Sequence, residues 1–308
     1  MAARFILSLD CEGNWGIADH LGRRGQRGLT DRSLRGAYSA ILRLLVDYDV
    51  AATFALVGLY GESPANFHKL RPQLNQLAQS IPEYLGAALR EIDEGDGDGW
   101  HGGWAVDLVK AARQDHEIAL HGVTHVPWGR LGRVSANQEL DLYEQLSSEV
   151  RQSRTFVYPR NQVAHPDLLK RIGIEGYRLA PKSRSSAGSL ASEFNLLSPP
   201  ESDPLSSAGT PLPIPAGYFV NWQHGVRRLV PQSVSAARFA LMLRRAEPLT
   251  GVVHIWLHPE NVATAPETLT LLKALLSRVA RARDLGRCEV MTQLQYVRRH
   301  RPLLNSLD

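Results

Sequence analysis

Short apolar runs alternate along the whole chain with segments in which apolar residues recur every three or four positions. The first run, RFILSL, is typical of a buried strand, and the segment DRSLRGAYSAILRLLVDY has the spacing of a helix packed on one face. Six later runs predict strands: AATFALVG, HEIALH, TFVYP, EGYRLA, GVVHIWLH and CEVMT. Four segments between them predict helices: SANQELDLYEQLSSEV, PDLLKRIG, SVSAARFALMLRRA and PETLTLLKALLSRVARARDLG.

This alternation of strands and helices predicts an α/β fold of about seven β/α units. A parallel sheet covered by helices and closed into a barrel is the simplest arrangement of such units. The Ser- and Pro-rich stretch at 181–215 interrupts the rhythm, and we interpret it as a long surface connection. We therefore predict a single catalytic domain over residues 1–308, with its chemistry at the carboxyl ends of the strands.

The first strand runs directly into two carboxylates, Asp10 and Glu12. Because successive side chains of a strand alternate in direction, these two acids point the same way and Cys11 points the other way. Two carboxylates held close together repel each other unless a cation or a proton lies between them. The pair therefore needs a partner from elsewhere in the chain.

Histidines supply candidate partners. His121 and His125, in HEIALHGVTHVPW, are separated by one helical turn and follow a predicted strand. Two such histidines are usually surface residues, but here they share the strand-end rim with the acids. Two imidazoles and one carboxylate form a usual ligand set for a catalytic zinc-like ion, which leaves the second carboxylate free as a base. His258, at the end of GVVHIWLH, is a candidate acid, whereas His254 within that strand is better explained as a hydrogen-bonded core residue.

Composition narrows the function classes. The 308 residues carry a formal net charge of +4, and their 44% hydrophobic content is that of a globular protein. The basic residues are scattered along helices without a nucleic-acid motif, so we expect no nucleic-acid partner, while an anionic substrate such as a sugar phosphate stays compatible. Two distant cysteines predict free thiols. The absence of a membrane-span window and of a cleavage site predicts a cytoplasmic protein.

Four motifs, SLDCEG, HGVTH, FVYPRN and WLHPEN, resemble in content and order those of the polysaccharide deacetylase family, the NodB-homology or carbohydrate esterase family 4 group. The resemblance implies a distorted (β/α) barrel and hydrolysis of N-acetyl groups from amino sugars. It also implies a divalent metal ion, Zn in the first place, with Co, Ni, Mn or Fe as alternatives. Asp10 matches the family's catalytic base, His121 and His125 its metal ligands, and His258 its catalytic acid.

Two positions depart from the family pattern. The second acid is Glu12, separated from Asp10 by one residue, which resembles a D-x-E subgroup. We assign Glu12 to the metal, and the reverse assignment, with Asp10 on the metal and Glu12 as the base, stays open. The arginine that orients the base usually precedes a proline, but here Arg160 follows Pro159, and we predict Arg160 as the catalytic partner of Asp10.

Aromatic side chains beside these motifs suit a sugar site because their faces stack on pyranose rings. Each alone more often packs in a core or at a rim, but we expect at least one of them to contact substrate. The predicted substrate-binding residues are Trp15, Trp128, Tyr158, Asn161 and Trp256.

These observations predict a metal-dependent carbohydrate N-deacetylase that removes an N-acetyl or N-formyl group from an amino sugar. Without an export signal, the expected substrate is a nucleotide- or lipid-linked precursor in lipopolysaccharide O-antigen or capsule biosynthesis. One alternative is hydrolysis of cyclic amides or ureides on the same fold, and another is a carbohydrate-binding pseudoenzyme. The sequence leaves the oligomeric state open.

Overall fold

The structure, a computed structural model, describes residues 2–20, 29–95, 97–181, 193–196, 199–205 and 210–304. The strands are β1 (Ala3–Cys11), β2 (Thr53–Leu56), β3 (Glu117–Leu120), β4 (Thr155–Phe156), β5 (Gly176–Arg178), β6 (Leu212–Ile214), β7 (Tyr218–Phe219), β8 (Val252–Leu257) and β9 (Cys288–Met291). The α-helices are α1 (Asp31–Asp47), α2 (Pro64–Ser80), α3 (Ala87–Glu94), α4 (Gly103–Lys110), α5 (Arg133–Tyr143), α6 (Ser148–Arg151), α7 (Gln232–Leu249), α8 (Pro259–Thr264), α9 (Glu267–Asp284) and α10 (Gln293–Leu304).

The nine strands belong to one sheet. Eight of them follow the order β6-β5-β4-β3-β2-β1-β8-β7, β9 pairs with β1 outside this order, and every pair of named strands is parallel. The long strand β1 pairs with β8. It also pairs with β9 near its start and with β2 near its end. Within the described residues β6 and β7 do not pair, so the sheet curves without closing. This confirms the predicted α/β fold, a distorted barrel surrounded by helices.

Strand β1 shows how the sequence pattern positions the site. Its residues alternate between two environments, as a strand requires. Phe5, Leu7, Leu9 and Cys11 belong to the main core beneath the helices, where Phe5 packs edge-on against Phe239 of α7. Ser8 and Asp10 face the other way and meet Arg178 of β5. The interior of the barrel is therefore polar toward the carboxyl end of β1, where Glu12 follows.

The predicted elements are mostly found where the sequence placed them, with differences in detail. The segment predicted as one helix, SANQELDLYEQLSSEV, forms the two helices α5 and α6. The segment PDLLKRIG forms a 3₁₀ helix over Pro166–Ile172 that ends, as predicted, at Gly173 with φ +76°. Both cysteines are buried free thiols, as expected.

The stretch at 181–215 is more structured at its end than predicted. Residues 182–192, 197–198 and 206–209 lie outside the described part of the chain. Leu212–Ile214 forms β6, which pairs with β5 at the edge of the sheet, so this part is a strand and not a surface connection. That residues 1–308 form a single domain stays a prediction.

The described helices include none with both the length and the apolar character needed to cross a membrane.

Truncating the core beneath β1 and β2 should destabilise the fold. Phe54 is fully buried, stacks on Tyr38 and lies in β2 beside β1. We predict that Phe54→Ala lowers the free energy of unfolding by about 3–5 kcal/mol in urea denaturation, because it leaves a cavity. The control Val46→Ala, at a residue that is 38% exposed, should change it by less than about 0.5 kcal/mol. Equal effects of the two changes would contradict this placement of the core.

Candidate active site

A cavity of about 350 Å³ lies at the carboxyl ends of β1, β3 and β8. It brings together residues far apart in sequence that were predicted to act together. The cavity is lined by Asp10, Glu12, Gly16, His121, Arg160, Asn161, Trp256 and His258.

Three imidazole nitrogens converge on one oxygen of Glu12. The Oε1 atom of Glu12 is 2.9 Å from Nε2 of His121, 3.0 Å from Nε2 of His125 and 3.4 Å from Nε2 of His258. Burial raises the pKa of Glu12, but the charges of His125 and His258 outweigh burial and hold that pKa well below its usual range. Glu12 is therefore a carboxylate among imidazoles, as a metal ligand set requires.

The hydrogen bonds of His121 test whether this group suits a metal ion. Nδ1 of His121 is 2.9 Å from the carbonyl oxygen of Val157, which can only accept, so Nδ1 carries the hydrogen. In the neutral ring, Nε2 then presents a lone pair to the carboxylate of Glu12. Two acceptors at 2.9 Å attract each other only with a proton or a cation between them. Glu12, His121 and His125 fit a divalent ion, and a ring hydrogen bond of this kind is usual for metal-binding histidines.

A loop, not a helical turn, brings the two histidines together. His121 follows β3 directly, and the chain then turns through Gly122 at φ +67° and His125 at φ +59°. A Cβ at residue 122 would lie 2.7 Å from Cγ of Pro159, so glycine is required there both for its conformation and for space. The two histidines do meet at one oxygen of Glu12, but the prediction that one helical turn brings them together was wrong.

Glu139 of α5, which the sequence analysis missed, holds this loop. Its Oε1 atom accepts hydrogen bonds from the backbone N–H groups of Val123 and Thr124, at 2.9 and 2.8 Å, and from the Thr124 hydroxyl at 2.9 Å. Glu139 is fully buried, and burial raises its pKa against the effect of these bonds. The sequence signal that could have identified Glu139 is its position among the apolar residues of an amphipathic helix, where an acid is buried.

Asp10 is held by Arg178 and not by Arg160. Nη1 and Nη2 of Arg178 donate to the two carboxylate oxygens of Asp10 at 2.7 and 2.6 Å, and both side chains are buried. Burial raises the pKa of Asp10, but the charge and hydrogen bonds of Arg178, with the charges of His121 and His258, together outweigh burial and lower that pKa. The prediction that Arg160 is the partner of Asp10 was wrong: Arg160 lines the cavity but forms an ion pair with Asp19 at 2.7 Å.

Behind Arg178, a hydrogen-bonded chain runs into the sheet. Nδ1 of His254 lies 2.7 Å from the carbonyl oxygen of Pro215 and so donates to it, which leaves Nε2 to accept from the Ser8 hydroxyl at 2.9 Å. The Ser8 oxygen in turn accepts from Nη1 of Arg178 at 3.2 Å. Burial lowers the pKa of His254 to about 3, so the ring is neutral. His254 is thus the hydrogen-bonded core histidine that the sequence predicted.

His258 lies on the rim with one nitrogen held and one directed at the acids. Its Nδ1 atom is 3.2 Å from Oδ1 of Asn261, so the ring can donate there while Nε2 faces Glu12. Burial lowers the pKa of His258, but the charge and hydrogen bond of Glu12, with the charges of Asp10 and Glu260, together outweigh burial and raise that pKa to about 10. Without a metal ion His258 is therefore an imidazolium at neutral pH.

The predicted substrate-binding residues divide into two groups. Trp256 and Asn161 line the cavity, and the guanidinium of Arg178 lies 4.7 Å from the centre of the Trp256 ring. The prediction was wrong for Trp15, Trp128 and Tyr158. Their side chains are at most 2% exposed and pack in the core, where the ring of Trp15 contacts that of Trp100 and the ring of Trp128 contacts that of Tyr158.

The backbone at Glu12 is held by a second missed residue, Glu260. Its Oε1 atom accepts from the backbone N–H of Glu12 at 3.0 Å and from that of Gly13. Burial raises the pKa of Glu260 to about 7. On the other side, Gly16 packs so closely that a Cβ there would lie 1.9 Å from Oε2 of Glu12.

Comparison with known proteins identifies the fold. A chain from Mycobacterium smegmatis described as a polysaccharide deacetylase matches with a TM-score of 0.57 and 14% identity, over 98% of this chain and 91% of that chain. One from Pseudomonas aeruginosa PAO1, also described as a polysaccharide deacetylase, matches with a TM-score of 0.53 and 14% identity, over 97% and 91%. The chain has the fold of the polysaccharide deacetylases.

An allantoinase shares this fold, with a TM-score of 0.52 and 12% identity over 97% of this chain and 90% of that chain. No family model and no curated protein matches the sequence. At these identities the comparisons establish the fold, and the chemistry must be inferred from the site.

Adding one methyl group at Gly16 should disturb the ion site without unfolding the chain. We predict that Gly16→Ala weakens zinc binding at least about tenfold in calorimetric titration, since the new Cβ displaces Glu12. The matched control is Gly36→Ala, where no neighbouring atom lies within 4 Å of the added Cβ. It lies inside α1, where alanine adds about 0.5–1 kcal/mol of stability. Unchanged zinc affinity in Gly16→Ala would contradict the assignment of Glu12.

The charge of Glu12 should control the titration of His258. In the metal-free protein we expect His258 to titrate near pH 10 by NMR, and Glu12→Gln to bring the midpoint to about 6.5 or lower, because burial then dominates. The protonated ring stabilises the wild-type fold fully below about pH 6.5, and that stability is lost as pH rises through 10. A midpoint that is the same in both proteins would refute this coupling.

Proposed function

We propose that this protein is a metal-dependent hydrolase that removes an N-acetyl or N-formyl group from an amino sugar. The observation that carries the proposal is the division of the two acids. Glu12 faces the imidazoles of His121 and His125, while the two oxygens of Asp10, in the same cavity, accept hydrogen bonds from Arg178. A site that held an ion only for structure would not need a second acid and a third imidazole at its edge.

The proposed ligands are Glu12, His121 and His125, and the proposed metal ion is zinc. Nitrogen and oxygen donors of this kind favour Zn, and Co, Ni, Mn and Fe accept the same ligands. When bound, the ion would supply a Lewis acid that polarises the amide carbonyl and lowers the pKa of water.

Asp10 is the proposed base. Its carboxylate lines the cavity and is kept ionised by Arg178, so it can accept a proton from the attacking water over the whole neutral range. The same arginine makes Asp10 a weak base, which is sufficient only for water whose pKa is already lowered. The chain of Ser8 and His254 behind Arg178 fixes the direction in which the Asp10 oxygens point.

His258 is the proposed acid. Its Nε2 atom faces the acids, and Nδ1 is held by Asn261, so the ring can donate a proton from Nε2 to the departing amine nitrogen. Trp256 and Asn161, which line the cavity beside it, are the proposed substrate contacts. The expected substrates are nucleotide- or lipid-linked sugars of surface polysaccharide, such as lipopolysaccharide O-antigen, and the proposed location is the cytoplasm.

A second candidate is the opening of a cyclic amide or ureide. The allantoinase that shares this fold supports it, because the same acid, base and ion could serve a ring amide. The two functions differ in their products.

A comparison of products tests the proposal. Zinc-loaded protein is incubated with N-acetylated and N-formylated amino sugars, free and nucleotide-linked, and with allantoin and hydantoin. We expect release of acetate or formate from at least one sugar and no ring opening. Ring opening without release of an acyl group would favour the second candidate, and no reaction with either class would count against a hydrolase.

Replacing the two acids should separate their roles. We predict that Asp10→Asn lowers kcat for acyl release by about 10²–10⁴ while zinc binding is retained, whereas Glu12→Gln abolishes tight zinc binding. Because Asp10→Asn leaves Arg178 without its buried counter-charge, activity is measured well below its unfolding temperature. Loss of zinc in Asp10→Asn with retention in Glu12→Gln would establish the reverse assignment.

A further inference from the structure

Arg160 lines the cavity but takes no part in the proposed chemistry. Its side chain is 33% exposed, and it is the only arginine or lysine among the described residues that line the cavity.

One nitrogen of this guanidinium is engaged, and the other two are open. Nη2 of Arg160 donates to the carbonyl oxygen of Gly16 at 3.1 Å and to Oδ1 of Asp19 at 2.7 Å. Within the described part of the chain, neither Nε nor Nη1 donates to any protein acceptor. Charged N–H donors favour carboxylate and phosphate acceptors, and this guanidinium is held in place with the donors of Nε and Nη1 unused.

The backbone that presents Arg160 is unusual. Arg160 and Asn161 both have positive φ, at 54° and 52°, in a short turn that follows β4. Two consecutive residues other than glycine in the left-handed region are uncommon, and such conformations cluster at sites that bind ligands. Asn161 also accepts from Nη2 of Arg178 at 3.1 Å, which ties this turn to the arginine that holds Asp10.

We infer that Arg160 is a specificity-determining residue that binds an anionic substituent, a phosphate or a carboxylate, on the sugar that occupies the cavity. An N–H of Nε or of Nη1 would donate to the anion while Asp19 keeps the guanidinium in position. This inference rests on the proposed function for the identity of the sugar. It adds that neutral amino sugars are poorer ligands than their phosphorylated or carboxylated counterparts.

The test uses sugars without an acyl group, so that binding is measured without turnover. Calorimetric titration of the zinc-loaded full chain compares glucosamine with glucosamine 1-phosphate, glucosamine 6-phosphate and 2-amino-2-deoxyglucuronic acid. We expect at least one anionic sugar to bind about tenfold or more tightly than glucosamine, and the order among them distinguishes phosphate from carboxylate.

Variants assign this preference to Arg160. Arg160→Gln should remove the preference and leave glucosamine affinity within about twofold, and Arg160→Lys, which keeps the charge but not the planar guanidinium, should restore part of it. Arg130→Gln is the matched control, because Arg130 is an exposed arginine outside this cavity. Unfolding temperatures show whether each variant is folded.

Three results would overturn the inference. The first is equal affinity of the wild type for neutral and anionic sugars. The second is an undiminished preference in Arg160→Gln, which would place the anion on the metal ion. The third is an Arg160→Gln variant whose affinity falls equally for neutral and anionic sugars. Acyl release is assayed separately. A binding preference that depends on Arg160, without acyl release, would support this inference and refute the proposed hydrolase. Acyl release without such a preference would support the hydrolase and refute this inference.

Discussion

The arrangement of the site depends on one constraint, the close approach of imidazole nitrogens to the carboxylate of Glu12. The hydrogen bond from His121 to the carbonyl of Val157 places a hydrogen on Nδ1, so in the neutral ring a lone pair on Nε2 faces Glu12 at 2.9 Å. Such a contact is stable only with a proton or a cation between the two groups. The chain therefore presents a position that suits a cation at the carboxyl end of β1.

The surrounding structure holds that contact in place from several sides. Glu139 fixes the loop of the two histidines, Glu260 fixes the backbone at Glu12, and Gly16 leaves room for its carboxylate. Arg178 meanwhile neutralises Asp10, so that two carboxylates can stand at the end of one strand without repelling each other into a different structure. The same division underlies the proposed roles of the two acids, Glu12 as a ligand and Asp10 as a base.

The sequence predicted the parts that follow from periodicity. Alternation in RFILSL placed Asp10 and Glu12 on one side and Cys11 on the other, and the order of strands and helices indicated the barrel. Motif spacing brought His121, His125 and His258 to those acids because all of them follow strands, and parallel strands end at one edge.

The errors concern contacts that no local pattern specifies. Arg160 lies in the motif but pairs with Asp19. Arg178, in a predicted strand to which no site residue was assigned, reaches Asp10 across the interior of the barrel. Which arginine reaches Asp10 depends on how the strands curve around the barrel, and no local sequence pattern specifies that curvature. A cation within the short buried strand EGYRLA was a usable signal, since a buried arginine requires an acid. Trp15 and Trp128 were misjudged because proximity in sequence to a motif does not decide whether a ring faces solvent or core.

A crystal structure of the zinc-loaded protein, with anomalous scattering measured on both sides of the zinc absorption edge, tests the central claim most directly. The account predicts one strong peak about 2.0–2.2 Å from Nε2 of His121, Nε2 of His125 and a carboxylate oxygen of Glu12, with Asp10 still bound to Arg178. No peak among these residues, or a peak ligated by Asp10 with its bonds to Arg178 broken, would contradict it.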